Sequence, residues 1–332
     1  MFLTVWTALL ACLIAASWMI GSRPKMLRIQ RGRRDDALAA WSALATARGL
    51  RLFEAPGLVG TQLSGRWGGR PLTVSVREGG GLGAEQEVVT EIRLQLCGPV
   101  DPALAMWRVG QQPPAPGGTR LGDRLLMAAG DTAPIGAALA AFEAAVRRQP
   151  ALHLRGGWLR LQVWGLHRDI EARIYELAEL AVHIEEAACA PWLVAAAPLG
   201  MVAQAGPGRL TLRAERSAGA TTIEITGDEV RLRIAQPLPG VRCIGRRRRG
   251  QVTVPVRNPI VDRFLSVDAS EAVRVKLAQP EATALLMEVI WSSPEATVSE
   301  AGMALVLPIG SADTLGVRVS SAEALSAILR GD

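Results

Sequence analysis

The chain has 332 residues, 49% hydrophobic and 20% charged, enough length for two domains and enough apolar material for a sizeable core. Its net charge of +6 comes from 37 basic and 31 acidic residues, but six of the basic ones (Arg23, Lys25, Arg28, Arg31, Arg33, Arg34) sit together ahead of the first acidic residue. Without them the body is formally neutral, which excludes an overall basic face for gripping phosphates, so nucleic acid is not an expected partner.

Residues 2–20 contain no charge. As a helix they would extend about 28 Å, close to the ~30 Å hydrocarbon core of a bilayer. Trp6 and Trp18 lie near the two ends, where indole rings favour the headgroup region. No Lys or Arg precedes this span and six follow it, so the positive-inside rule predicts a single-pass signal-anchor (1–22) in the cytoplasmic (inner) membrane. A basic juxtamembrane linker (23–36) follows, with the body in the cytoplasm. The lipid bilayer is then one partner, and the six cations are candidate contacts for anionic headgroups, worth roughly 1 kcal/mol each. The alternative topology is an exported, periplasmic body after signal cleavage; against it, the segment lacks a positive n-region and has a long apolar core.

Along the body, Leu38, Trp41, Leu44 and Ala45 have helical spacing, predicting a helix over 37–49 that stops at Gly49. Alternating runs then predict strands at 61–67, 71–76 and 88–97, the first two joined by a Gly68-Gly69 turn. A glycine run, 79–83, joins the second to the third. An Asp123-Arg124 pair opens a further strand, and an Ala/Leu-rich helix is expected over 134–148. After Pro150 comes a hairpin, 152–155 and 158–163, turning at Gly156-Gly157. Within 167–188, Ile170, Ile174, Leu177, Ala181, Ile184 and Ala188 make one apolar seam. That helix either packs on the chain's own sheet or forms a homodimer seam.

The pattern then recurs. Trp41 and Gly49 match Trp192 and Gly200, and the strands 61–67, 71–76 and 88–97 have counterparts at 209–215, 221–226 and 230–235. The Asp-Arg pair returns as Asp262-Arg263, the helix as 280–291 and the hairpin as 296–299 with 303–307, and each copy closes on a helix. The offset falls from 151 at the tryptophans to 139 at the Asp-Arg pairs, which predicts about twelve extra residues in the first copy. The Gly/Pro-rich stretch 110–118 is the expected place. Antiparallel strands with helices on one face make an α+β fold: two tandem, distantly similar modules, 37–188 and 189–332.

Chemistry-bearing motifs are scarce. There is no G-x-S-x-G, Walker A or H-E-x-x-H sequence, and Lys occurs only at 25 and 276. His153, His167 and His183 are too dispersed to share a metal. The glycine run 79–83 joins two strands, whereas a phosphate loop opens a helix. Asp131 and Asp268 precede helices and read as caps, Glu271 completing a capping box in the second copy. Cys97, Cys189 and Cys243 read as reduced, mostly buried thiols. No catalytic, cofactor or metal residue is expected.

One basic run stands in the body, Arg246-Arg247-Arg248-Arg249 between Gly245 and Gly250. It reads as a solvated hairpin tip or as a contact for an anionic surface. The Ala/Gly/Arg-rich, Lys-poor composition fits a GC-rich bacterial genome. The expected function is a non-enzymatic interaction or scaffold module facing the cytoplasm, with an unknown protein partner. The alternative is a small-ligand-binding protein or enzyme with a site in the cleft between the modules.

Overall fold

The computed structural model describes residues 34–79, 88–111, 113, 116–216, 219–227, 229–247, 255–307 and 312–330. The expected anchor 2–20, Arg23 to Arg33 of the linker, Arg248, Arg249 and most of the glycine run lie outside these residues. Of the juxtamembrane cations only Arg34 is described, as the first described residue of helix α1 (described over 34–48).

Strands β1 (Arg51–Phe53), β2 (Gln62–Trp67), β3 (Arg70–Glu78) and β4 (Val88–Gln95) follow α1. Next come β5 (Ala105–Arg108), β6 (Thr119–Arg120) and β7 (Leu126–Ala129). A 3-10 turn (Ala133–Ala138) runs into α2 (Leu139–Arg148), and β8 (Leu152–Arg155), β9 (Trp158–Trp164) and α3 (Ile170–Ala196) complete the first half. The second half opens with β10 (Val202–Gly206), β11 (Arg209–Arg216), β12 (Gly219–Thr226) and β13 (Val230–Ala235). Then follow β14 (Val241–Arg246), α4 (Pro259–Phe264), β15 (Leu265–Ala269), α5 (Glu271–Leu277) and α6 (Pro280–Leu286). A π-turn (Met287–Trp291) extends α6, and β16 (Glu295–Ser299), β17 (Gly302–Leu307) and α7 (Leu315–Arg330) end the chain.

The strands form two sheets, ordered β1-β2-β3-β4-β9-β8-β5-β7-β6 and β10-β11-β12-β13-β17-β16-β14-β15. Reading β10–β13 for β1–β4, β17 and β16 for β9 and β8, and β14 and β15 for β5 and β7 turns one order into the other, leaving only β6 over. This is a mixed α+β architecture on two antiparallel sheets. Alternation drives it: β13 buries Val230, Leu232 and Ile234 while Arg231, Arg233 and Ala235 are exposed. The turns between β2 and β3 and between β8 and β9 need positive φ at both central residues, and glycines supply it at Gly68 (55°), Gly69 (81°), Gly156 (57°) and Gly157 (73°).

Two compact units divide the chain, Met1–Arg93 with Leu161–Leu177 and Leu94–Arg160 with Ala178–Asp332. In the first, Trp41, Leu63, Leu72, Val74, Ile92, Ile170 and Ile174 are buried, and Trp41 Nε1 donates to the His167 carbonyl at 2.9 Å. In the second, Phe142, Val146, Leu152 and Leu154 are buried beside β5 and β7, and a larger apolar cluster including Leu212, Ile223, Leu232, Val298 and Leu325 fills the second sheet's helical side.

Four expectations need correction. The extra residues of the first copy are not at 110–118, because β5-to-β7 (109–125) and β14-to-β15 (247–264) are connected by seventeen and eighteen residues. They lie instead between β1 and β2, eight residues (54–61) against two (207–208), between β3 and β4, nine (79–87) against three (227–229), and between β4 and β5, nine (96–104) against five (236–240). Loop length there is free to vary because lengthening a connection adds little closure entropy.

Asp268 is not a helix cap: it sits in β15 opposite Cys243, and Ser270 caps α5 by accepting from the Val273 N–H. Glu271 is therefore the first residue of α5 and no capping-box partner. Asp131 does act as expected, its Oδ1 accepting from the Ala133 N–H at 2.8 Å. The Asp-Arg pairs do not begin strands. Asp123-Arg124 is in the turn before β7, whereas Asp262-Arg263 belongs to α4, where Asp262 accepts from the Val256 N–H at 2.7 Å.

The helix expected over 167–188 starts at Ile170 and continues to Ala196, so residue 188 falls inside it. Its six seam residues are all buried within the chain, the self-packing that the periodicity allowed. Among the described residues this helix, with the turn after it (Ile170–Leu199), is the one long and apolar enough to cross a membrane, by length and composition alone.

Candidate functional site

Arg246 ends β14, so the basic run does not begin as a free loop tip. Gly245 stays in register opposite Ser266, and Arg246 pairs with Leu265. The Arg246 guanidinium donates to the Trp291 carbonyl at 2.5 Å and to the Ser293 carbonyl. Both carbonyls lie at the end of the α6 helical segment, where backbone acceptors have no intrahelical partner and a cation is favoured. The same guanidinium lies 5.0 Å from the centroid of the Trp291 ring, which in turn packs on Phe264 at 4.9 Å. Arg263 lies over the other partner of this stack, 5.1 Å from the Phe264 centroid.

Next in sequence, Arg247 donates to the Asp262 carbonyl at 2.5 Å, while its own N–H bonds to the Phe264 carbonyl. Arg246, Arg247 and Arg263 are all exposed, and no carboxylate pairs with any of them among the described residues. Trp291 is 42% exposed and Ile260, one turn before Phe264 on α4, is 51% exposed. Cationic and apolar groups therefore share one surface. Of the predicted anionic-surface residues, Arg246 and Arg247 are brought together here, and Arg34 lies in the other compact unit.

Trp291, Phe264 and Arg263 were missed by sequence reasoning. Trp291 is 45 residues from Arg246, and only a topology that places the end of α6 against β14 joins them. The one local signal was the adjacent Arg263-Phe264 pair, which says nothing about Trp291.

A cleft of about 670 Å³ lies between elements of the two copies, lined by Pro99, Pro134, Pro191, Trp192 and four carboxylates, Asp101, Asp131, Glu229 and Asp313. Three of these carboxylates are held locally. Asp101 accepts from the Ala103 N–H at 2.7 Å and Asp131 from that of Ala133, while Glu229 pairs with Arg231 and keeps that guanidinium above its ordinary pKa. Beside the cleft the chain is tightly closed. A Cβ on Gly227 would stand 2.3 Å from the Val100 carbonyl oxygen, and the 206–208 turn bonds to residues 96–98 through Gly98 N–H to Gly206 and Gly208 N–H to Leu96.

The thiols differ from one another. Cys189 is buried, and burial, with Glu185 and Cys97 nearby, pushes its pKa up to about 11, so it stays a thiol at neutral pH. Glu185 accepts from the Cys97 N–H at 2.6 Å. Cys243 is exposed, contrary to the expectation that most thiols are buried: its β14 position faces away from the core.

In the other unit, Arg48 lies 4.9 Å from the Trp67 ring and hydrogen-bonds Glu171 at 2.9 Å and the Tyr175 hydroxyl. The hydrogen bond to Glu171 first, then the neighbouring Tyr175, raise its pKa above the ordinary arginine value. His153 is in β8, His167 precedes α3 and His183 lies within it. No group of three or more His, Cys, Asp or Glu among the described residues could hold a metal.

Compared with known proteins, the chain matches no family model, no curated sequence and no solved structure at a significant level.

Proposed function

We propose that the chain is a membrane-tethered, non-enzymatic interaction module, held by an N-terminal single-pass anchor with its duplicated body in the cytoplasm and an unidentified protein as partner. The observation that carries the non-enzymatic part is the state of the inter-copy cleft, where three of four carboxylates serve backbone or arginine partners of the fold. A general acid or base needs a free carboxyl or imidazole within reach of a substrate proton, and these carboxylates are occupied holding loops. The tether rests on the charge asymmetry around residues 2–20.

Orientation is testable on the exposed Cys243. In cells making the full-length chain, a membrane-impermeant maleimide should leave Cys243 unlabelled until the cells are lysed. Labelling of Cys243 in intact cells would mean an exported body and end the cytoplasmic reading.

A second reading, a small-ligand site, draws on the size of the same cleft and its Trp192 wall. It requires that a compound raising the melting temperature of the chain lose that effect in Trp192→Ala and Asp313→Asn.

A further inference from the structure

We propose that the surface made by Arg246, Arg247, Arg263, Trp291 and Ile260 is a second membrane contact, binding the headgroups of anionic lipid. The inference rests on the membrane-tethered reading and adds a site to it. The described residues 241–247 and 255–264 carry five arginines and one acidic residue, Asp262, and that carboxylate is turned to the Val256 N–H. The formal neutrality of the body is thus an average over an uneven surface.

Charge alone would fit any polyanion. Two features favour a lipid surface. First, an exposed Trp and an exposed Ile stand among the cations, and an indole over a partly apolar base is the side chain that settles at the headgroup level of a bilayer. Second, the two aromatic rings are already engaged within the fold. Trp291 is engaged by Arg246 and by a tilted contact with Phe264, and Phe264 by Arg263, so the two rings form a wedge braced by cations and not a row of parallel faces on which successive bases could stack. The guanidinium groups of Arg246 and Arg247 spend some donors on carbonyls of the fold and still have others for phosphate oxygens, since each carries five. Those carbonyl bonds fix the two cations at the surface, so little side-chain entropy is lost on contact.

The test uses the full-length chain in lipid nanodiscs, made of phosphatidylcholine alone or with a fraction of phosphatidylglycerol, and reads amide hydrogen exchange in 241–247, 259–264 and 287–291. Exchange in these segments should slow several-fold in the anionic discs, and molar salt should abolish the difference. Arg247→Ser with Arg263→Ser keeps the bonds of Arg246 to the helix end, and hence the fold. Each arginine contributes a factor of about five to binding, so losing two should bring the several-fold protection down to its level in neutral discs. Unaltered exchange in β11–β13 checks that the variant is folded. Equal exchange in both kinds of disc overturns the proposal, as does full protection in the double variant. So does protection of these segments by a single-stranded oligonucleotide when anionic discs give none. Failure of the chain to co-purify with any disc would instead count against the anchor, which separates the two readings.

Discussion

The two hairpins β8-β9 and β16-β17 hold the same place in their sheets and reach it by different local chemistry. In the first, Gly156 and Gly157 form the turn in open space or at ordinary contact distance, and positive φ is the whole reason for glycine. In the second, the turn is Glu300-Ala301, and the glycine has moved to the first residue of β17. There Gly302 has φ 129°, and a Cβ would stand 2.1 Å from the Ile234 carbonyl oxygen. The connections before β7 and β15 differ in the same way. Glu143 of α2 fastens the first, accepting from the Leu125 N–H, Arg124 and Arg147. In the second, Asn258 caps α4 through the Ile260 and Val261 N–H groups and donates to Thr283 at 2.9 Å. Strand order is common to the copies while the polar fasteners are private to each. Apolar alternation defines the topology and tolerates many ways of locking the loops.

The widest gap between the copies should appear at the hairpin glycines. Gly302→Ala must displace backbone and should cost more than about 3 kcal/mol, while Gly157→Ala meets only left-handed strain of about 1–2 kcal/mol. Chemical denaturation of both variants checks this, and equal losses would break the contrast. Next come the caps. Asn258→Ala removes an acceptor from two N–H groups and a donor to Thr283 and should cost about 1–2 kcal/mol, against about 0.5–1 kcal/mol for Asp131→Ala.

Glu143 gives a pH signature found on one side only. The Leu125 N–H first, then Arg147 and Arg124, hold its carboxyl below the ordinary glutamate range. A depressed folded pKa stabilises above the unfolded pKa and loses that stability as pH falls through the folded value. Glu143→Gln should therefore flatten part of the acid limb of a melting-temperature profile and leave the neutral plateau parallel to the parent. The smallest effect is kinetic. A thiol reagent should modify exposed Cys243 fastest, half-buried Cys97 more slowly and Cys189 last, with Cys189 requiring alkaline pH or unfolding.

Much of this architecture was legible before any coordinates. Strands with strict period-two burial, such as β12 and β13, and turns marked by paired glycines, such as Gly68-Gly69, announce themselves through local rules. The short elements did not. The β5 run Ala105–Arg108 buries three consecutive residues and shows no alternation, and β14 hides in a segment whose arginines and Gly245 suggest a loop. Helix α3 was read too short because its apolar seam ends near Ala188 while the helix continues past Pro191. Asp268 was mistaken for a cap because Ser270, two residues on, does the same work from an equally common cap residue. At the candidate surface the tetra-arginine run was visible, but the contact of Arg246 with Trp291 depends on strand and helix packing that no linear spacing encodes.

The tether itself is tested most directly by washing membranes from cells that make the native chain with alkaline carbonate and determining the N-terminus of what remains. A chain held by residues 2–20 stays in the pellet with that segment intact. Recovery of the body in the supernatant, with the apolar segment removed, would contradict it.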